Sequence, residues 1–215
     1  MENIEYVCFT SPCGGTGCTS SAVAFARIAS KIYRKKVLVI SFDVMTEKMI
    51  PVSATRPAGK LSTGLFFDPK GRELCFTMPA LADDFSVSYL YDRSYINPLH
   101  SISEEELKVF LEYVSRSMLY DLAVLDIPYK SLFSEKLFMC CEKTVIVGGY
   151  LETQRYYLGS FEERIRQISE RLEAKPGVYI FNPMEDPESF SRGDVDIHDQ
   201  FGAEVRELAE ELFGS

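Results

Sequence analysis

The stretch SPCGGTGCTSS, Ser11 to Ser21, lies between a short apolar run and a helix-like one. Gly14, Gly15 and Gly17 allow successive backbone N–H groups to turn inward around an anion, and a following helix N-terminus adds partial positive charge. A loop of this kind binds phosphate. In its usual form a lysine reaches the β and γ phosphates, and a serine or threonine hydroxyl ligates magnesium. Here Cys18 holds the lysine position and Thr19 the hydroxyl position, followed by Ser20, while Thr16 sits between the glycines and Cys13 precedes them. A neutral thiol is a weak donor and a thiolate repels phosphate, so neither cysteine replaces a cation. Charge-assisted hydrogen bonds from a buried lysine contribute about 1.5 to 3 kcal/mol each. Losing two weakens phosphate binding on the order of 100-fold to many thousandfold, and phosphoryl transfer, which depends on positioning and charge, suffers more.

The thiols suggest other chemistries. Cys18 falls near a helix N-terminus, where thiol pKa values drop, so a reactive thiolate is physically accessible. The four residues between Cys13 and Cys18 match no common zinc knuckle, and no second cysteine or histidine pair accompanies them. A phosphatase-type loop needs an arginine about six residues after its cysteine, and Thr19 stands there after Cys13. Loss of lysine from a loop kept for its shape is the favoured explanation.

Such a loop needs a buried strand before it and a helix after it. Strand-like runs occur at Ile4 to Phe9, Val37 to Phe42, Leu74 to Met78, Leu122 to Ile127, Thr144 to Gly148 and Val178 to Phe181. Helix-like runs fall between them, and this alternation predicts an α/β fold, a doubly wound, mostly parallel sheet flanked by helices. Runs such as KVLVI and LAVLDI are continuously apolar, as strands buried on both faces require. After the loop, Ala22, Phe25, Ala26, Ala29, Ile32 and Tyr33 recur at helical spacing. A second helix begins at ISEEELKVF, with Ser103 and Glu106 as a capping box and Ile102 facing Leu107 as a staple. Phe161, Ile165, Ile168 and Leu172 stripe a third; Phe201, Val205, Leu208 and Leu212 stripe a last one whose opposite face is acidic.

Composition narrows the function. The 215 residues suit one domain, 1–215. Apolar residues at 46% and charged residues at 26% are close to globular averages, which predicts a folded chain throughout. The net charge of -9 disfavours direct DNA binding and contact with anionic lipid, both of which need phosphates neutralised. Lys31, Arg34, Lys35 and Lys36 cluster where the first helix ends, and there they complement its dipole. No apolar stretch is long enough to span a bilayer, so no membrane insertion is expected. Six cysteines without a signal-like start read as reduced thiols, and the expected location is cytoplasmic.

SPCGGTGCTSS resembles the deviant Walker A motif of the ParA/MinD family, KGG-x-GK-[ST], with Cys13 at the signature lysine and Cys18 at the ordinary Walker lysine. KKVLVISFD is similar to the family's second strand and switch, which implies that Asp43 positions or activates water. YDLAVLDIPY is similar to the strand that carries a magnesium-linked aspartate, here Asp126, with Thr19 as the other metal ligand. GVYIFNP is similar to the late strand whose terminal asparagine, here Asn182, contacts adenine. The stretch from LCFTMPALADDFSVSYLYDRSYINPLH onward resembles the CpaE/TadZ branch, which localises Flp-type pilus assembly.

The resemblance implies a P-loop NTPase-like fold with ParA/MinD topology. It also implies ATP and magnesium as cofactors, a homodimer, and partners from a pilus or secretion assembly that recruit the protein to the cell pole or the inner face of the membrane. Cys13, Gly14, Gly15, Thr16, Gly17, Cys18, Thr19, Ser20 and Asn182 form the nucleotide-binding set, and Asp43 the degenerate catalytic position. Ser41 replaces the first aspartate of the family's D-x-D pair. The expectation is a localisation scaffold with weak or absent ATP hydrolysis, whose loop holds nucleotide weakly or stays empty. The alternative is an active dimeric ATPase that draws a substitute cation from elsewhere in the chain, with Lys48, Arg56 and Lys60 among the candidates, or from the partner subunit. Each site residue also has a plainer role open to it: Asp43 and Asp126 as turn or helix caps, Asn182 in an NP turn, Thr19 as a helix-start residue.

Overall fold

The computed structural model describes residues 4–42, 66–67, 74–75, 87–90, 103–116, 119–127, 134–171, 177–184 and 199–214. The strands are β1 (Glu5–Thr10), β2 (Val37–Ser41), β3 (Phe66–Phe67), β4 (Leu74–Cys75), β5 (Val87–Leu90), β6 (Leu122–Asp126), β7 (Lys143–Val147) and β8 (Gly177–Phe181). The helices are α1 (Cys18–Lys31), α2 (Glu104–Arg116), α3 (Ser134–Cys140), α4 (Glu152–Arg155), α5 (Leu158–Arg171) and α6 (Gln200–Gly214). Six strands form one sheet in the order β5-β2-β6-β1-β7-β8, and every neighbouring pair is parallel. This is the doubly wound arrangement that the alternating pattern predicts.

Side chains on successive strand residues point to opposite faces, and the core divides accordingly. Val7, Phe9, Val37, Val39, Leu122, Val124, Val145 and Val147 pack with α1 and α6 on one face. Tyr6, Cys8, Leu38, Ile40, Ala123, Leu125 and Ile146 pack with α2, α3 and α5 on the other. Phe25, Ile28 and Phe201 are fully buried; each such side chain contributes about 1.5 to 3 kcal/mol.

Local signals act where the sequence places them. The amide of Glu106 donates to Ser103 Oγ at 3.2 Å and the amide of Ser103 to Glu106 Oε2, which is the expected capping box. Ile102, its staple partner, lies outside the described residues. Lys31 occupies the last turn of α1, as the dipole argument requires. Lys35 pairs with Glu5 at 3.5 Å and Lys143 with Glu5 at 2.9 Å, at the end of the sheet where the strands begin.

One strand differs from expectation. Leu74–Cys75 pairs antiparallel with Phe66–Phe67 in a separate two-stranded sheet, and the edge of the main sheet is Val87–Leu90. Residues 76–78 lie outside the described set. The segment VSYL spans only four residues, too short for a period to stand out from its surroundings. Among the described residues, no helix is long and apolar enough to cross a membrane.

Candidate functional site

β1 runs between β6 and β7, and its outgoing helix α1 covers one face of the sheet. The helix that follows β6, α3, covers the opposite face. Chains leaving adjacent strands in opposite directions open a crevice at the strands' carboxyl ends, where open α/β sheets bind ligands. The glycine loop and Asp126 both lie at this point.

The loop keeps the conformation that its glycines permit. Gly15 has φ 76° and Gly17 φ 81°, left-handed values that disfavour any side chain. Ser11 Oγ donates to the Cys13 carbonyl at 2.8 Å, closing the start of the turn. Gly17 is the N-cap of α1, no side chain caps it, and the first turn holds no acid. A helix N-terminus carries partial positive charge, so an anion is favoured there. Thr16 is buried, with a hydroxyl that has no hydrogen-bond partner, whereas Gly14 and Gly15 are exposed and Cys13, Gly17, Cys18, Thr19 and Ser20 are half-buried. This backbone fits a phosphate group; the charge complement does not match it.

Asp126 is buried at the end of β6, in register with Phe9 of β1 and Ser41 of β2. Its Oδ2 accepts from Thr19 Oγ1 at 3.0 Å and from Ser41 Oγ at 3.2 Å. The hydroxyl and carboxylate expected to hold magnesium are thus side by side, and Ser41 acts as a donor to the same oxygen. Thr19 and Asp126 would hold the ion in company with phosphate oxygens; bound there, magnesium neutralises phosphate charge. Among the described residues, no group of three or more His, Cys, Asp or Glu side chains gathers as a metal site.

Burial works against reactivity at Cys8 and Cys13. Desolvation pushes the Cys13 thiol above its ordinary value of 9.0, so it stays neutral at physiological pH. Burial pushes Cys8 well up as well, with Cys141, Cys18 and Asp126 adding to the effect. Cys8, Cys13, Cys18, Cys140 and Cys141 form no disulfide.

Asn182 follows β8, two strands from the loop, with its side chain exposed. It lies against Gly148 at the end of β7, where an added Cβ would meet Asn182 Oδ1 at 2.1 Å. Asp43, Lys48, Arg56 and Lys60 lie outside the described residues.

Two residues that the sequence reading did not single out join these parts. Gln154 Nε2 donates to the Gly15 carbonyl at 2.8 Å. Arg155 donates from Nε to the Gly149 carbonyl at 2.9 Å and from Nη2 to the Pro183 carbonyl at 3.3 Å. The available signal was the pair Gly148–Gly149 at a strand end, which marks close backbone approach.

No family model matches the sequence, and no curated protein matches it significantly. Solved structures do match over nearly the whole chain. A protein assigned to plasmid partition in Borrelia burgdorferi, bound to AMPPNP, superposes with a TM-score of 0.60 at 14% identity over 99% of each chain. A ParA family ATPase from Chlorobium tepidum gives 0.55 at 12% identity, covering 97% of this chain and 81% of that one. The MinC:MinD cell division complex of Aquifex aeolicus gives 0.56 at 17% identity, covering 98% and 96%. At such identities the likeness is one of fold: the chain has a P-loop fold of the ParA/MinD type.

Proposed function

We propose that this chain is a degenerate ParA/MinD-like protein that holds ATP and magnesium weakly, hydrolyses ATP little or not at all, and serves as a single-domain localisation scaffold of the CpaE/TadZ kind. The observation that carries this is the split within one site. The Thr19–Asp126 pair, 3.0 Å apart, keeps the parts that would face a metal, while half-buried Cys13 and Cys18 occupy both lysine positions. Cys13, held neutral by desolvation, brings no charge to the loop. Binding then rests on backbone N–H groups and the α1 dipole, which favours an anion at a helix N-terminus by about 0.3 to 1 kcal/mol.

In this function the protein works through contacts with partners of a pilus or secretion assembly, in the cytoplasm at the pole or the inner membrane face. Any homodimer forms without the bridge that a signature lysine would make. The acidic chain does not bind DNA directly. An ATPase assay tests the core of the proposal: turnover at or near background is expected, and robust hydrolysis abolished by Asp43→Ala would overturn it. Sedimentation should show an association state independent of ATP.

A second reading is an active ATPase that borrows a cation from elsewhere in the chain or from a partner. The intact Thr19–Asp126 pair and the AMPPNP held by the Borrelia neighbour favour it. Lys48→Ala, Arg56→Ala and Lys60→Ala would each be screened for loss of that turnover.

A further inference from the structure

Gln154 is held by bonds at both ends of its amide. Its Oε1 accepts from the Leu151 amide at 3.1 Å, which caps α4, and its Nε2 donates to the Gly15 carbonyl at 2.8 Å, 139 residues away in the chain. The seat is close-fitting. Gly149 has φ 86°, and a Cβ there would lie 2.3 Å from Gln154 Oε1, 2.9 Å from its Cδ and 3.0 Å from its Cβ. The strand end is glycine where this side chain crosses it.

We propose that Gln154 is a positioning residue that fixes the peptide plane of the phosphate loop. A peptide unit is planar and trans, so the Gly15 carbonyl and the Thr16 N–H point in opposite directions. Holding the carbonyl to Gln154 aims the Thr16 N–H away from α4. Gly15, at φ 76°, has no side chain to resist the flipped alternative, in which the carbonyl and not the N–H would face an anion. A loop without its lysines depends on N–H direction more than a lysine-bearing loop does. The same helix extends the bracket, because Arg155 ties the Gly149 carbonyl to that of Pro183. The segment after β7 thereby connects the loop after β1 to the turn after β8. The inference rests on the loop being an anion cradle, as proposed above.

Amide hydrogen exchange on the full chain, without ligand, tests it in three variants. Gln154→Glu keeps the acceptor for Leu151 and loses the donor to Gly15. Exchange in residues 14–19 should speed up about 2- to 10-fold, the loss of one neutral hydrogen bond, with residues 151–155 unchanged. Gln154→Ala should accelerate both segments. Gly149→Ala, which displaces the side chain, should accelerate the loop while Gln154 is still present. Loop exchange at the wild-type rate in Gln154→Glu would overturn the proposal. In wild-type protein the side-chain NH2 of Gln154 should be protected from exchange; an unprotected signal counts against it.

A second arm titrates ATP with magnesium. Similar losses of affinity in Gln154→Glu and Gln154→Ala support positioning, whereas a loss in Gln154→Glu alone is charge repulsion and overturns it. Wild-type protein that binds no ATP would remove the weak-binding reading, and the exchange result would still decide the role of Gln154.

Discussion

Thr19 Oγ1 donates to Asp126 Oδ2 at 3.0 Å across 107 residues of sequence. One residue opens α1 and the other ends β6, so their meeting depends on β1 and β6 being neighbours in register. Asp126 also accepts from Ser41. Asp126→Ala removes the acceptor of two hydroxyls in a buried setting, which should cost about 1 to 3 kcal/mol of stability. Asp126→Asn keeps an acceptor and should cost less while abolishing any magnesium dependence of ATP binding. Urea unfolding and titration with and without magnesium check both; equal magnesium dependence in Asp126→Asn would refute the metal role.

Restoring charge should restore affinity. Cys18→Lys returns a cation to the loop, and one charge-assisted hydrogen bond corresponds to a gain of about 10- to 100-fold in ATP affinity. Calorimetry measures it. No gain would mean that the loop backbone, and not the missing lysine, limits binding.

Gly148→Ala should disturb the far end of the site while sparing the fold. The new Cβ would meet Asn182 Oδ1 at 2.1 Å and Leu158 Cδ2 at 3.0 Å, both ends of side chains that can move. If Asn182 contacts adenine, affinity for ATP falls and affinity for tripolyphosphate does not. Parallel losses for the two ligands would dismiss an adenine role.

Tyr6 gives the fold an alkaline limit. Its hydroxyl bonds the Leu111 carbonyl at 3.0 Å and Ser115 Oγ at 2.9 Å, and desolvation by burial pushes its pKa up from 10.0 to about 12. Between those values the folded state retains a proton that the unfolded chain has released. Stability is therefore fully present below pH 10 and declines as pH rises toward 12. Tyr6→Phe should flatten that decline in a stability–pH profile, although it also loses the two hydrogen bonds and starts lower.

Cys13 should alkylate slowly near neutrality. With its pKa above 9.0, the rate with iodoacetamide should keep climbing past pH 9. A plateau below pH 8, measured by mass spectrometry of the Cys13 peptide, would reveal an activated thiolate instead.

The sheet and the conformation of the glycine loop were legible because each rests on dense local pattern: continuous apolar runs for β1, β2, β6 and β7, and closely spaced glycines for the loop. The meeting of Thr19 and Asp126 followed from strand order, which the family resemblance carried and periodicity alone did not. Val87–Leu90 was not legible, since a four-residue strand is too short to carry a readable period. Gln154 and Arg155 escaped for another reason. They lie on a four-residue helix with no buried residues, and their partners are backbone groups, which have no residue type to read.

Gly17 begins α1 at φ 81° without a side-chain cap. A helix start carries partial positive charge, so the native state offers an anion a place that the unfolded chain lacks. Any anion taken up there adds stability in proportion to the logarithm of its concentration over its dissociation constant. The melting temperature thus becomes a gauge of the loop's contents, and a titration of phosphate, triphosphate or ATP against it would rank the loop's preferences without any turnover.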